Sequence, residues 1–202
     1  KGKKRDRDVA SYFLDSQNRF WISAIDGIYT YNQKNDYFDR FLGTSTYSII
    51  QDKKGDIWFG TRNGVYRFNQ QTKTLFHYLN DENNSNSLSD NDINHIYEDK
   101  DGNIWVATDK GLNKISLQKK SFGHIYHIPE NTNSLASNDI STLTADDNDH
   151  LWIGYRNKGF DFYNLETTEV KHFRKDDYKN LKSNHVSKLY FDSNNQLWVG
   201  LW

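Results

Sequence analysis

The sequence predicts an all-β fold, a β-propeller of four-stranded antiparallel blades about 45 residues apart. A repeated phrase is the first reason. Asp, five residues, then Trp occurs five times, as Asp15…Trp21, Asp52…Trp58, Asp99…Trp105, Asp146…Trp152 and Asp192…Trp198. The second reason is the period, since the Trp-to-Trp steps are 37, 47, 47 and 46 residues. A fixed period of that size marks units that bury their apolar faces only by stacking on neighbours. The third is the texture inside each unit: short β-forming runs alternate with turns rich in Gly, Asp and Asn, and helical spacing is never sustained.

The third unit shows the elements in order. Residues 92–98 read as a first strand, 99–102 as a turn, 103–108 as a second strand, 109–111 as a turn, 112–115 as a third strand and 123–128 as a fourth. Asp and Gly in the first turn suit the positive φ and side-chain-to-backbone bonds of tight hairpins. Trp on the second strand is expected to wedge between blades, where it buries a large apolar area. The small residue two places later (Ser23, Gly60, Ala107, Gly154, Gly200) is expected to leave room for neighbouring backbone. Gly27, Gly64, Gly111 and Gly159 restart the third strand. The blades are expected at 8–41, 45–79, 92–128 and 139–174, with half a blade at 185–202, all in one partial propeller over 1–202. A ring of six to eight blades would need roughly 280 to 380 residues, so the chain is expected to be a piece of a longer one. The absence of Met agrees with that.

Composition narrows the function classes. Hydrophobic residues make up 35%, aromatics 15%, and the net charge is -1, so no basic surface suggests nucleic-acid binding. The basic start (Lys1, Lys3, Lys4, Arg5, Arg7) is interleaved with Asp6 and Asp8 and reads as a solvated end. Cys is absent, which excludes disulfides and thiolate chemistry. No run approaches the roughly 20 apolar residues that span a bilayer, and no signal peptide is evident.

The stretch Asp52-Lys53-Lys54-Gly55-Asp56-Ile57-Trp58-Phe59-Gly60-Thr61-Arg62-Asn63-Gly64-Val65 resembles the two-component regulator propeller repeat. So do Asp99 to Leu112 and Asp146 to Phe160, with the leads Ser137-Asn138-Asp139-Ile140 and Ser183-Asn184-His185-Val186. Sialidase-type Asp boxes, kelch repeats and Trp-Asp repeats fit less well. The resemblance implies the periplasmic sensor of a Bacteroides-type hybrid two-component system, anchored in the inner membrane through segments not in this chain. It also implies oligosaccharide recognition, switching on polysaccharide-utilisation genes. The kinase and regulator parts are not in this chain, so no catalytic residue carries over.

Ligands of a propeller are expected on the face shared by loops 80–91, 129–138 and 175–184 and the turns between second and third strands. Candidate ligand-binding residues there are Arg62, Asn63, Asp109, Tyr155, Arg156 and Asn157. Tyr155 and one extra loop residue break the pattern set by Thr61 and Thr108. A column thirteen residues before each Trp (Asp8, Ser45, Asp92, Asp139, His185) adds Asp92, Asp139 and His185, as ligand groups or as loop caps. His77, His127 and His172 read as edge-strand surface residues too dispersed to share a metal. The expected role is a non-catalytic sensor without cofactor or metal, with homodimerisation as a further expectation. The alternatives are an interaction scaffold or, less favoured, a metal-assisted propeller lyase centred on His185, Asp139 and Asp92.

Overall fold

The computed structural model describes residues 9–117, 121–148 and 150–202, and within them the chain is all-β. Five antiparallel sheets follow one another. The first contains β1 (Val9–Leu14), β2 (Phe20–Ala24), β3 (Gly27–Asn32) and β4 (Tyr37–Leu42). The second contains β5 (Thr46–Gln51), β6 (Ile57–Thr61), β7 (Gly64–Asn69) and β8 (Thr74–Tyr78). β9 (Ile93–Glu98), β10 (Ile104–Thr108), β11 (Gly111–Ser116) and β12 (Ser121–Ile125) form the third. β13 (Ile140–Ala145), β14 (Leu151–Tyr155), β15 (Phe160–Tyr163) and β16 (Val170–Phe173) form the fourth, and β17 (Val186–Phe191) pairs with β18 (Leu197–Leu201) in a half-sheet. Each sheet is a simple meander, and the first strands of successive sheets are neighbours along the inside of an open ring. The described blades thus begin at Val9; Asp8, the first member of the thirteen-residue column, and the basic start lie outside the described residues.

The repeated Asp and Trp are partners. In every copy one carboxylate oxygen accepts the indole N–H of the Trp six residues on, at 2.9, 2.8, 2.8, 3.1 and 2.9 Å in chain order. The other oxygen closes the hairpin: Asp52 Oδ1 accepts the N–H groups of Lys54 and Asp56, and Asp192 Oδ1 those of Asn194 and Gln196. The third residue after the Asp turns left-handed and is Asn18, Gly55, Gly102 or Asn195 in four copies, residue types that tolerate positive φ.

Trp so held stands between sheets. Trp21 packs with Ile57, Phe59 and Phe68 of the second sheet, Trp58 with Ile93, Ile96 and Val106 of the third, and Trp105 with Ile140, Leu143 and Ile153 of the fourth. The core is therefore a series of layers between blades. Each buried Trp removes on the order of 200 Å² from water, a gross gain of about 5 kcal/mol. Trp198, on the last sheet, is 60% exposed.

The small residue after Trp does a different job from the one its size suggests. At Gly60 and Gly154 it makes room chiefly for first-strand side chains: a Cβ on Gly60 would stand 2.7 Å from Ile93 of the next blade, and one on Gly154 2.6 Å from Thr142 of its own blade and 2.8 Å from Val186 of the next. In the first blade Ser23 fills the same place and exchanges two hydrogen bonds with the Thr46 backbone, at 2.7 and 2.9 Å. Each first strand also carries a bulge, skipping Tyr47, Asn94, Ser141 and Ser187 in the pairing of the last four sheets. Asn94 Nδ2 donates to Ile140 O and Ser141 Oγ to Val186 O, so bulged side chains bridge to the next blade.

Two outcomes follow. Asp52→Ala leaves the buried Trp58 N–H and two turn N–H groups without their acceptor and should cost about 2–3 kcal/mol in urea unfolding, whereas Asp192→Ala, beside the exposed Trp198, should cost much less. Gly159 has φ +71°, and a Cβ there would collide with the Phe173 carbonyl oxygen. Gly159→Ala should therefore lower the melting temperature by more than the about 1–2 kcal/mol of left-handed strain alone, while Gly123→Ala, with open space around it, should stay within about 0.5 kcal/mol.

Candidate functional site

The antiparallel pairing brings the start of each first strand to the end of the second, with Ile93 opposite Thr108, Ile140 opposite Tyr155 and Val186 opposite Leu201. The thirteen-residue column and the turns between second and third strands therefore share one face. Asp92, Asp139 and His185 immediately precede β9, β13 and β17, and Arg62, Asp109 and Arg156 stand in or beside the turns.

Arg156 is the hub. Its guanidinium donates to Asp109 Oδ1 at 2.8 Å, to Asn94 Oδ1 at 2.8 Å and to Asp139. Asn94 Nδ2 in turn donates to Asp109 Oδ1 at 2.7 Å, so two blades are tied at this point. Partial burial disfavours the Asp109 charge, but the bonds from Arg156 and Asn94 outweigh it and hold the carboxyl below its ordinary range. Asp92 goes the other way: partial burial and then the Asp109 charge raise it, against the pull of Arg62 and Arg156. Arg62 is exposed, with its guanidinium carbon 5.4 Å from the ring centroid of Tyr47, itself 45% exposed. Lys110 pairs with Asp90 at 3.4 Å.

The structure thus gathers Arg62, Asp92, Asp109, Asp139 and Arg156 of the expected residues. Asn63 turns its side chain elsewhere, with Nδ2 3.4 Å from Tyr66 Oη, and its backbone carbonyl oxygen lies 2.6 Å from His77 Nε2. Asn157 is exposed in the adjacent turn. His185 lies with its ring 6.2 Å from that of Trp202. Asp92, Asp139 and His185 do not form a group that could hold a metal ion among the described residues. Asn94 and Tyr47 were not foreseen; both are bulge residues, eleven positions before a repeated Trp.

Tyr155 is a correction. It is the last residue of β14, fully buried, and presents no face to a ligand. Its hydroxyl donates to Asp161 Oδ2 at 2.6 Å, and burial, followed by the Asp161 charge, raises it well above the usual tyrosine range. Asp161 is also buried; it accepts Ala136 N–H at 2.8 Å and faces His172 Nδ1 at 2.7 Å. In the third sheet Asn113 fills the corresponding place and accepts Ser89 N–H at 2.9 Å. A break in the repeat thus marks a swapped core network that pins the preceding loop.

The histidines are also regrouped. His77, His124 and His172 are the cross-strand partners of Tyr66, Asn113 and Asp161, while His127 lies beyond the end of β12 with Nδ1 2.6 Å from Leu135 O. These residues hold loops: His124 Nε2 is 2.7 Å from Ser87 O and His172 Nε2 3.0 Å from Thr132 O. The Asp161 bond raises the pKa of His172 against the opposing effect of burial. A raised folded-state pKa gives stability that is complete below the unfolded value near 6.5 and is lost as pH rises through the folded one. His172→Asn should accordingly lower the melting temperature most at pH 6 and progressively less toward pH 9.

The two component regulator propeller family matches residues 41–63, 87–110, 134–157 and 180–202. Each segment runs from before a first strand to the turn after the second, the stretch that contains the Asp–Trp bond. No curated protein is significantly similar in sequence. Among solved structures, the extracellular domain described as that of a hybrid two component system, BT3049 from B. thetaiotaomicron, is 23% identical with a TM-score of 0.83. The alignment covers 98% of this chain and 28% of that one. Virginiamycin B lyase from Staphylococcus aureus is 16% identical with a TM-score of 0.71, covering 100% of this chain and 66% of that one. PorZ of Porphyromonas gingivalis, a type-IX secretion component, is 14% identical with a TM-score of 0.74, covering 100% and 33%. The three share the propeller fold with this chain, which spans under a third of the first. Four segments of this chain, each holding an Asp–Trp pair, thus match the two component regulator propeller repeat.

Proposed function

We propose that this chain is an extracytoplasmic ligand-sensing propeller of a hybrid two-component regulator, periplasmic in location, and that it recognises oligosaccharides at the face around Arg62. One observation carries the reading. Arg62 lies over the exposed ring of Tyr47, and its charge reaches Asp92, whose carboxyl also feels Asp109 and Arg156. An aromatic face beside guanidinium and carboxylate groups is the chemistry that sugars call for, since the ring stacks on the pyranose and the charged groups bond its hydroxyls. The repeat family and the fold shared with the BT3049 extracellular domain support the regulatory setting.

Isothermal calorimetry of the complete parent ectodomain against pooled plant and host oligosaccharides tests this. The expected result is saturable heat with the sugars recovered intact, weakened at least tenfold by Tyr47→Ala or Arg62→Ala, a loss of about 1.4 kcal/mol. Sugars recovered cleaved would mean an enzyme. A second reading, a self-associating scaffold, draws on the exposed Tyr190 and Trp198 of the last sheet. It predicts concentration-dependent sedimentation indifferent to sugar, and silent calorimetry would favour it.

A further inference from the structure

A cleft of about 240 Å³ opens between the loop after β12 and the end of β16, with His127, Glu130, Ser134, Leu135, His172 and Arg174 among its lining residues. Its loop wall is pinned by the protein itself. His127 N–H donates to Asn138 Oδ1 at 2.6 Å, Ile128 N–H to Ser134 Oγ at 2.9 Å and Ala136 N–H to Asp161 Oδ2 at 2.8 Å. A wall held in this way loses little freedom when something binds against it.

The cationic wall departs from the repeat. Arg174 follows Phe173 as Leu79 follows Tyr78 and Tyr126 follows Ile125 at the ends of the two preceding fourth strands. Uncharged side chains serve the scaffold at that place, so the scaffold does not call for a guanidinium. His172 donates from Nδ1 to Asp161 Oδ1 at 2.7 Å and from Nε2 to Thr132 O at 3.0 Å. Carboxylate and carbonyl oxygens only accept, so both ring nitrogens carry protons and the imidazolium cancels the Asp161 charge. Arg174 has no such partner. Its Nε is shielded from solvent without a hydrogen bond, and among the described residues its guanidinium makes no ion pair, with Glu130 or any other acid. A shielded donor that the protein leaves without an acceptor calls for one from outside.

We propose that this cleft is a ligand site of its own, taking one small oxyanion, a carboxylate or a sulfate, on the Arg174 guanidinium. The planar fork of N–H donors matches two oxygens of such a group through parallel charge-assisted bonds. The bound charge answers the one cation of the cleft that no protein carboxylate answers, and the His172 imidazolium stands on the same wall. Glu130 works against it, because an acid lining the cleft repels an anion. A free inorganic ion and the acid group of a sugar share this chemistry. The proposal does not rest on the sugar reading, because its residues lie at the seam of the third and fourth blades, apart from Arg62 and Tyr47.

The test titrates the complete parent ectodomain with sodium sulfate and, separately, with sodium glucuronate, ionic strength being held constant with sodium chloride. Saturable binding is expected: of sulfate where the bare ion suffices, of glucuronate alone where the site reads a sugar acid. Arg174→Gln should weaken it about tenfold, the loss of a charged pair of bonds. Glu130→Gln should tighten it about threefold, a gain that misfolding does not produce. Arg62→Ala should leave it within about twofold, which separates this cleft from the mouth. Absence of saturable heat with both probes, an unchanged affinity in Arg174→Gln or in Glu130→Gln, or loss of binding in Arg62→Ala would overturn the proposal.

Discussion

Each blade depends on one carboxylate doing two things. The repeated Asp closes the hairpin between first and second strands with one oxygen and fixes the indole of the second-strand Trp with the other. Shortening the side chain would lose both bonds, and lengthening it would move the oxygens off the turn. The six-residue spacing is therefore geometric: it is the path from the end of one strand, through a tight turn, to the second residue of the next. With the indole N–H satisfied, the ring can be buried between blades without the desolvation cost of an unpaired donor. The packing of Ile57, Ile93 or Ile140 against successive Trp rings follows from that.

Much of this was legible because the constraint recurs. Five copies of Asp–Trp showed the blades, and Gly64, Gly111 and Gly159 marked where the third strands begin or are about to begin. The outer strands carry no such marker. A period-two pattern reads equally well one face over, so the fourth strand of the third blade was placed at 123–128, whereas it is Ser121–Ile125. The same slip put His127 in the column that belongs to His124.

The site was legible where position alone decides it and obscure where side-chain direction does. Arg62, Asp109 and Arg156 were found because turn residues converge on one face. Tyr155 was misplaced because the residue after Gly154 could end a strand or start a loop, and its partner Asp161 lies six residues on, across the next turn. Tyr47 and Asn94 escaped notice because a bulge has no sequence signature, yet it re-aims a side chain toward the mouth. Recognition of the repeat family could not help with any of these, since the family pattern describes the scaffold and these residues depart from it.

The bulges have a mechanical consequence. The sheets are separate ladders, and between blades the polar links include side-chain bridges, from Ser23 of β2 to Thr46 and, between first strands, from Asn94 to Ile140 and from Ser141 to Val186. A ladder must unzip bond by bond along its length, whereas a few point bridges over an apolar layer can tilt and reseat. The seams are then the compliant joints of the molecule and the sheets its stiff plates. Because Arg156 reaches from the fourth blade to Asn94 and Asp109 of the third, a small change at the mouth would be levered along one such joint to the opposite rim.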